Sequence, residues 1–116
     1  MRTLPEVQEL IEEIERDLHK LEQPLANAAE QCALAGGKAT ASCDAFIADY
    51  SGPGWKSKHA AARAHADLVE DAYKSKARLD KGKTILSVKR DRLDALRSES
   101  ASLKAEMEVL RTGYGT

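Results

Sequence analysis

Apolar residues recur at alternating intervals of four and three in the first part of the chain, and this spacing constrains the fold more than any other feature. They are Val7, Ile11, Ile14, Leu18, Leu21 and Leu25. The alternation places them on one stripe of an α-helix, the a/d seam of a coiled coil. Thr3-Leu4-Pro5-Glu6 has the residues of a capping box. We predict a helix over about residues 4–35 that bends at Pro24, because proline lacks the N–H donor, and ends at Gly36-Gly37.

A longer seam with the same spacing covers the last half of the chain. Its positions are Ala61, His65, Leu68, Ala72, Ser75, Leu79, Gly82, Leu86, Lys89, Leu93, Leu96, Ser100, Leu103, Met107 and Leu110. It predicts a helix over about residues 57–111. A break near Gly82 is the alternative, since glycine costs a helix interior about 1 kcal/mol relative to alanine.

The segment between the two seams is less regular. Cys43, Phe46, Ile47 and Tyr50 have helical spacing and predict a short helix over about residues 39–50. Ser51-Gly52-Pro53-Gly54 predicts a loop over residues 51–56. Trp55 lies in this loop, and a lone tryptophan beside a turn is typical of a plug at the end of a helical bundle.

The composition supports the same fold class. Alanine contributes 19 residues, whereas aromatic residues make up only 4 % of the chain, which disfavours a β-sandwich or barrel. We predict one all-α domain over residues 1–116, an elongated antiparallel helical hairpin or coiled coil with a short middle helix and a long C-terminal helix. The helix-packing or dimer seam comprises Leu79, Leu86, Leu93, Leu96 and Leu103. The first helix is too short to cover this seam, which favours a homodimer.

Basic residues recur every seven positions along the second seam. This basic stripe comprises Lys76, Lys83, Arg90, Arg97, Lys104 and Arg111. At e positions, the stripe would face Glu15 and Glu22 of an antiparallel first helix. Two acidic residues cannot pair with six basic ones, so the stripe is also a candidate surface for a protein partner or for the phosphates of a nucleic acid.

The sequence offers little that is typical of catalysis or metal binding. Cys32 and Cys43 are too far apart for a CxxC pair, and no serine or cysteine stands in a recognisable arrangement with a base. No apolar run approaches the roughly 18 residues of a membrane span. We therefore expect a non-enzymatic protein without metal or cofactor, with no membrane partner, in the cytoplasm.

Several segments of the second half are similar to small α-helical proteins of tailed bacteriophages and prophages. They are Asp71-Ala72-Tyr73-Lys74, Leu93-Asp94-Ala95-Leu96-Arg97-Ser98, Ala101-Ser102-Leu103-Lys104-Ala105-Glu106-Met107 and Arg111-Thr112. Such proteins are commonly encoded near recombination and replication genes. The resemblance implies a binding protein that acts on that machinery or inhibits a host defence complex such as CRISPR. Non-specific DNA binding along the basic stripe and a scaffold for virion assembly are the alternatives.

Overall fold

The computed structural model describes residues 1–113, and three α-helices make up most of them. Helix α1 spans Leu4–Ala48, α2 spans Ser57–Ala64 and α3 spans Ala66–Gly113. A single turn of 3-10 helix, Gly54–Lys56, leads into α2. Residues 1–113 contain no β-strand. The all-α class and the long C-terminal helix are therefore confirmed.

Helix α1 is longer than the sequence predicts. The backbone N–H of Glu6 donates to Oγ1 of Thr3 at 3.4 Å, so the helix begins at the predicted cap. It then continues through Pro24, Gly36 and Gly37 to Ala48, with no glycine in residues 1–113 at positive φ. The predicted end at Gly36-Gly37 and the separate helix over about residues 39–50 are therefore wrong.

Packing explains why α1 does not stop at its glycines. Positions 32, 35, 39, 43 and 46 are buried or half-buried at helical spacing, so the apolar stripe of α1 continues past Gly37. Burial of such a stripe is the main source of helix stability in proteins and offsets the cost of two glycines. A sequence pattern that weakens at Gly36-Gly37 conceals this continuity.

The second half contains a break, but at His65 rather than near Gly82. His65 has φ −117° and ψ 37°, which separates α2 from α3. Its backbone N–H still donates to the carbonyl of Ala61 at 3.0 Å, and the N–H of Val69 donates to the carbonyl of His65 at 3.1 Å. The predicted helix over about residues 57–111 is thus two helices, and Gly82 lies inside the second.

The contacts divide the chain into two compact units that share α1 and α3. We call Met1–Glu22 with residues 84–113 the terminal unit, and Gln23–Lys83 the central unit. In the terminal unit, Val7 and Ile14 form a core cluster with Leu93 and Leu96. Whether the chain is one domain, as the sequence predicts, stays a prediction.

Helices α1 and α3 run antiparallel in each unit. In the terminal unit, Arg2 forms an ion pair with Glu99, and Asp17 forms one with Lys89. Residue numbers that increase along the first segment therefore pair with numbers that decrease along α3. In the central unit, Leu25 lies against Gly82, and Phe46 near the end of α1 packs against His65. The hairpin topology predicted from the two seams is therefore present.

The predicted seams are the packed faces of the helices. Every apolar seam position from Val7 to Leu25 is buried or half-buried. On α3 the same holds for Leu79, Leu86, Leu93, Leu96 and Leu103. Met107 and Leu110, in contrast, are each 56 % exposed. Helix α1 begins at Leu4, and Arg2 just before it meets Glu99, so α1 does not run alongside the last turns of α3.

Trp55 does not plug a bundle end. Its side chain is 77 % exposed, and Nζ of Lys56 lies 4.7 Å from the ring centroid. The 3-10 turn that carries it has no buried residue. Within residues 1–113, no helix is long and apolar enough to cross a membrane.

Candidate binding surfaces

All six residues of the basic stripe are exposed on α3. Lys76 and Lys83 belong to the central unit. Arg90, Arg97, Lys104 and Arg111 belong to the terminal unit. The heptad spacing places them beside the packed seam, where their charged ends reach solvent.

Few stripe residues have an acidic partner. Arg97 forms an ion pair with Glu15 of α1 at 3.3 Å, which is the cross-helix pairing expected from opposed e positions. Arg111 pairs with Glu108 on its own helix at 2.8 Å. Within residues 1–113, the other four stripe residues form no ion pair: Lys76, Lys83, Arg90 and Lys104.

The expected acidic residue Glu22 does not reach the stripe. Its carboxylate lies 3.4 Å from Nδ1 of His19 on the same helix, and both side chains are largely exposed. Most of the stripe therefore keeps its charge available to a partner outside the chain.

Beyond the reach of α1, α3 presents what we call the C-terminal apolar end, made of Met107, Val109 and Leu110. Their exposed fractions are 56 %, 67 % and 56 %. Lys104 and Arg111 of the basic stripe lie within one turn of these residues in the sequence. The end of α3 thus combines exposed apolar side chains with cations on one short segment.

A second apolar surface lies in the terminal unit beside the packed seam. We call it the terminal groove. It has a volume of about 320 Å³, and its apolar lining is formed by Leu10, Ile14, Ile85 and Val88. Sequence reasoning missed it because Ile85 and Val88 lie outside the a/d positions. Their spacing of three residues on one helix flank was the available signal.

The rim of the terminal groove is charged, acidic on α1 and basic on α3. Glu13 and Asp17 come from α1, and Lys89 and Arg92 come from α3. Nζ of Lys89 donates to Oδ2 of Asp17 at 3.2 Å and joins the two helices. Glu13 and Arg92 form no ion pair within residues 1–113.

Residues 1–113 contain no group of three or more His, Cys, Asp or Glu side chains placed to hold a metal ion. Cys32 and Cys43 are half-buried free thiols on α1, about 16 Å apart along a continuous helix. His65 is half-buried, with its ring edge-on to Phe46 at a centroid distance of 6.1 Å.

Comparisons of the chain with protein-family models, curated proteins and solved structures give no match. The similarity to bacteriophage proteins therefore stays a prediction from the sequence. The basic stripe, the C-terminal apolar end and the terminal groove are the features from which a function can be argued.

Proposed function

We propose that the protein is a non-enzymatic binding module whose partner is another protein. The observation that carries the proposal is the C-terminal apolar end of α3, where Met107, Val109 and Leu110 are exposed beside Lys104 and Arg111. Exposed apolar side chains that lie together mark interaction surfaces on soluble proteins, and Met107 and Leu110, three residues apart, lie on one face of α3. Methionine and arginine are also enriched at protein interfaces relative to the rest of the surface.

The same segment is poorly suited to a nucleic acid. Glu106 and Glu108 are exposed between Lys104 and Arg111 and would repel phosphates, and Arg111 already pairs with Glu108. Apolar side chains gain nothing from facing a phosphate backbone. A protein surface with an apolar depression and acidic residues at its edge fits this segment better.

Sequence resemblance supplies the class of partner in this proposal. The resemblance favours phage recombination or replication machinery, or a host defence complex such as CRISPR, as the partner. The protein would bind this partner in the cytoplasm of the host cell. The proposal includes a homodimer, because the packing of α1 against α3 leaves apolar side chains such as Ile85 and Val88 exposed.

Affinity purification from an infected or lysogenic host tests the proposal. We expect the wild-type protein to capture a partner, and Val109→Glu and Leu110→Glu to lose it. Tyr73→Glu is the matched control, because Tyr73 is also on α3 and is 72 % exposed. Equal capture by all three variants would show that the C-terminal apolar end is not the binding surface. Large assemblies in light scattering would favour a virion scaffold instead.

Sequence-independent duplex DNA binding is the second candidate, and the unpaired cations of the basic stripe favour it. Eight basic and two acidic residues lie between Lys74 and Arg92. Neutralising phosphates releases counterions, so binding through three cations would weaken by roughly 40-fold between 50 and 200 mM salt.

Fluorescence anisotropy with a random duplex separates the two candidates. If DNA is the partner, a variant carrying Lys76→Glu, Lys83→Glu and Arg90→Glu loses binding. Arg16→Glu with Lys20→Glu, which reverses exposed charges on α1, keeps most of it. No binding of the wild-type protein at low salt rejects the DNA candidate and leaves the protein partner.

A further inference from the structure

We propose that the terminal groove is a homodimer interface, in which the groove of one copy packs against the groove of a second copy. In this dimer, α1 of each copy lies against α3 of the other, and the two terminal units form a four-helix bundle. The inference deepens the dimer included in the proposed function by giving it a surface and an orientation.

The apolar lining of the groove is the first argument. Ile85 is 40 % and Val88 is 61 % exposed, while the packed seam of the same helix already faces α1. One neighbouring helix is enough to bury a single apolar stripe, but a second apolar row on the same helix is buried only by a further layer of helices. Two more helices across the groove provide that layer, as in antiparallel four-helix bundles.

The charges on the rim make the groove complementary to itself. Glu13 stands on the α1 side and Arg92 on the α3 side of the same groove, and neither has an ion pair within residues 1–113. A surface that is acidic along one edge and basic along the other fits a copy of itself when unlike edges meet. In a twofold dimer this contact occurs twice, because the acidic edge of each copy meets the basic edge of the other.

The charges also select one of two twofold arrangements. A twofold axis parallel to the helices leaves the position of each residue along the helix axis unchanged. It therefore brings Glu13 opposite Arg92 of the second copy. An axis across the helices brings α1 against α1 instead, so that Glu13 faces acidic residues and Arg92 faces basic ones. Like charges in contact disfavour the second arrangement. In the first arrangement every neighbouring pair of helices is antiparallel.

Substitutions in the apolar lining test the surface. We expect analytical ultracentrifugation to give a wild-type dimer at micromolar concentration. Val88→Glu would bury one carboxylate per copy and raise the dissociation constant at least about 100-fold. Val109→Glu is the matched control, because Val109 is 67 % exposed on the same helix but lies outside the groove. Circular dichroism checks that both variants keep their helices.

Charge reversal on the rim tests the orientation. Glu13→Arg alone, or Arg92→Glu alone, places like charges across both symmetric contacts and would weaken the dimer about tenfold. The double variant restores unlike pairs and returns the dissociation constant to near the wild-type value. With α1 against α1, the double variant would reproduce the wild-type repulsion and the single variants would have little effect.

Each result decides the proposal. A wild-type monomer at 100 µM, or a Val88→Glu variant that dimerises as well as Val109→Glu, overturns the interface. Single charge reversals without effect overturn the orientation. The test is independent of partner capture, since Val109→Glu removes the proposed partner surface and leaves the dimer, whereas Val88→Glu does the reverse.

Discussion

Gly82 and Leu25 meet where α3 passes α1 in the central unit, and the missing side chain of the glycine makes room for the leucine. A Cβ on Gly82 would lie 2.6 Å from Cδ2 of Leu25. This contact explains why a glycine stands in the middle of a long helix. Its cost in helix propensity is offset by the close approach of the two helices.

Substitutions at Gly82 measure this close approach. In Gly82→Ala, the helix gains about 1 kcal/mol in propensity, but the end of the Leu25 side chain must move, so we expect a change in unfolding free energy within about 0.5 kcal/mol. Gly82→Val adds two methyl groups beyond the Cβ of alanine and should destabilise by about 1–3 kcal/mol. Gly37→Val is the control, because a Cβ there meets nothing within 4 Å. Urea unfolding compares the variants, and equal effects at both glycines would contradict the contact.

Leucine-to-alanine substitutions along α3 should separate the packed seam from the uncovered end. Leu96 is 3 % exposed in the core of the terminal unit, whereas Leu110 is 56 % exposed. Removing a buried leucine leaves a cavity, so Leu96→Ala should cost about 2–5 kcal/mol. Leu110→Ala should cost less than about 0.5 kcal/mol. Thermal and urea unfolding at a fixed protein concentration give both values, and a large loss at Leu110 would mean that the last turns of α3 are covered.

The packed faces could be predicted from the sequence, because the alternation of four and three residues alone determines which side of a helix is apolar. Val7, Ile14, Leu93 and Leu96 all lie on the predicted seams and form the core cluster. The length of α1 was not predictable in this way. The cost of Gly36 and Gly37 is local and visible in the sequence, while the packing of later residues such as Phe46 depends on contacts with distant parts of the chain.

The candidate surfaces were predictable only in part. A heptad repeat of basic residues predicts an exposed stripe, and the structure leaves Lys83, Arg90 and Lys104 exposed. The terminal groove is lined by residues of both helices that lie side by side, and no local sequence pattern reveals which residues of two distant segments are neighbours. Ile85 and Val88 look like isolated apolar residues until Leu10 and Ile14 are placed beside them.

Lys89 occupies a seam position as a cation and should be replaceable by an apolar residue. Its side chain is 34 % exposed, and it pairs with Asp17, which is 39 % exposed. Such partly exposed pairs are worth about 0.2–1 kcal/mol, and less at high salt. Lys89→Leu loses this pair but extends the apolar seam next to Leu86 and Leu93. We expect it to stabilise the fold by about 0.5–1 kcal/mol in urea unfolding. A loss above 1 kcal/mol would show that the ion pair contributes more than the seam.

Trp55 is the only tryptophan and should report on the connection before α2 rather than on a core. Its side chain is 77 % exposed, and the ammonium group of Lys56 lies over its ring. An exposed cation–π contact contributes about 0.5–1 kcal/mol, so Trp55→Ala should cost no more than that. Acrylamide should quench the fluorescence of the folded and the urea-unfolded protein to similar extents. A protected tryptophan, or a cost of about 3–5 kcal/mol, would instead indicate the bundle plug that its position beside a turn predicts.

Alanine substitutions at Gly36 and Gly37 test whether α1 is one continuous helix. Inside a helix, glycine is about 1 kcal/mol less favourable than alanine, and a Cβ at either position meets nothing within 4 Å. Each substitution should therefore stabilise the protein by about 0.5–1 kcal/mol. At a helix end with a left-handed backbone the same change would be destabilising, because a Cβ is strained there. The change in unfolding free energy of Gly36→Ala and Gly37→Ala therefore has opposite signs for a continuous α1 and for a helix that ends at these glycines. Destabilisation by both substitutions in urea unfolding would show that α1 ends near residue 35.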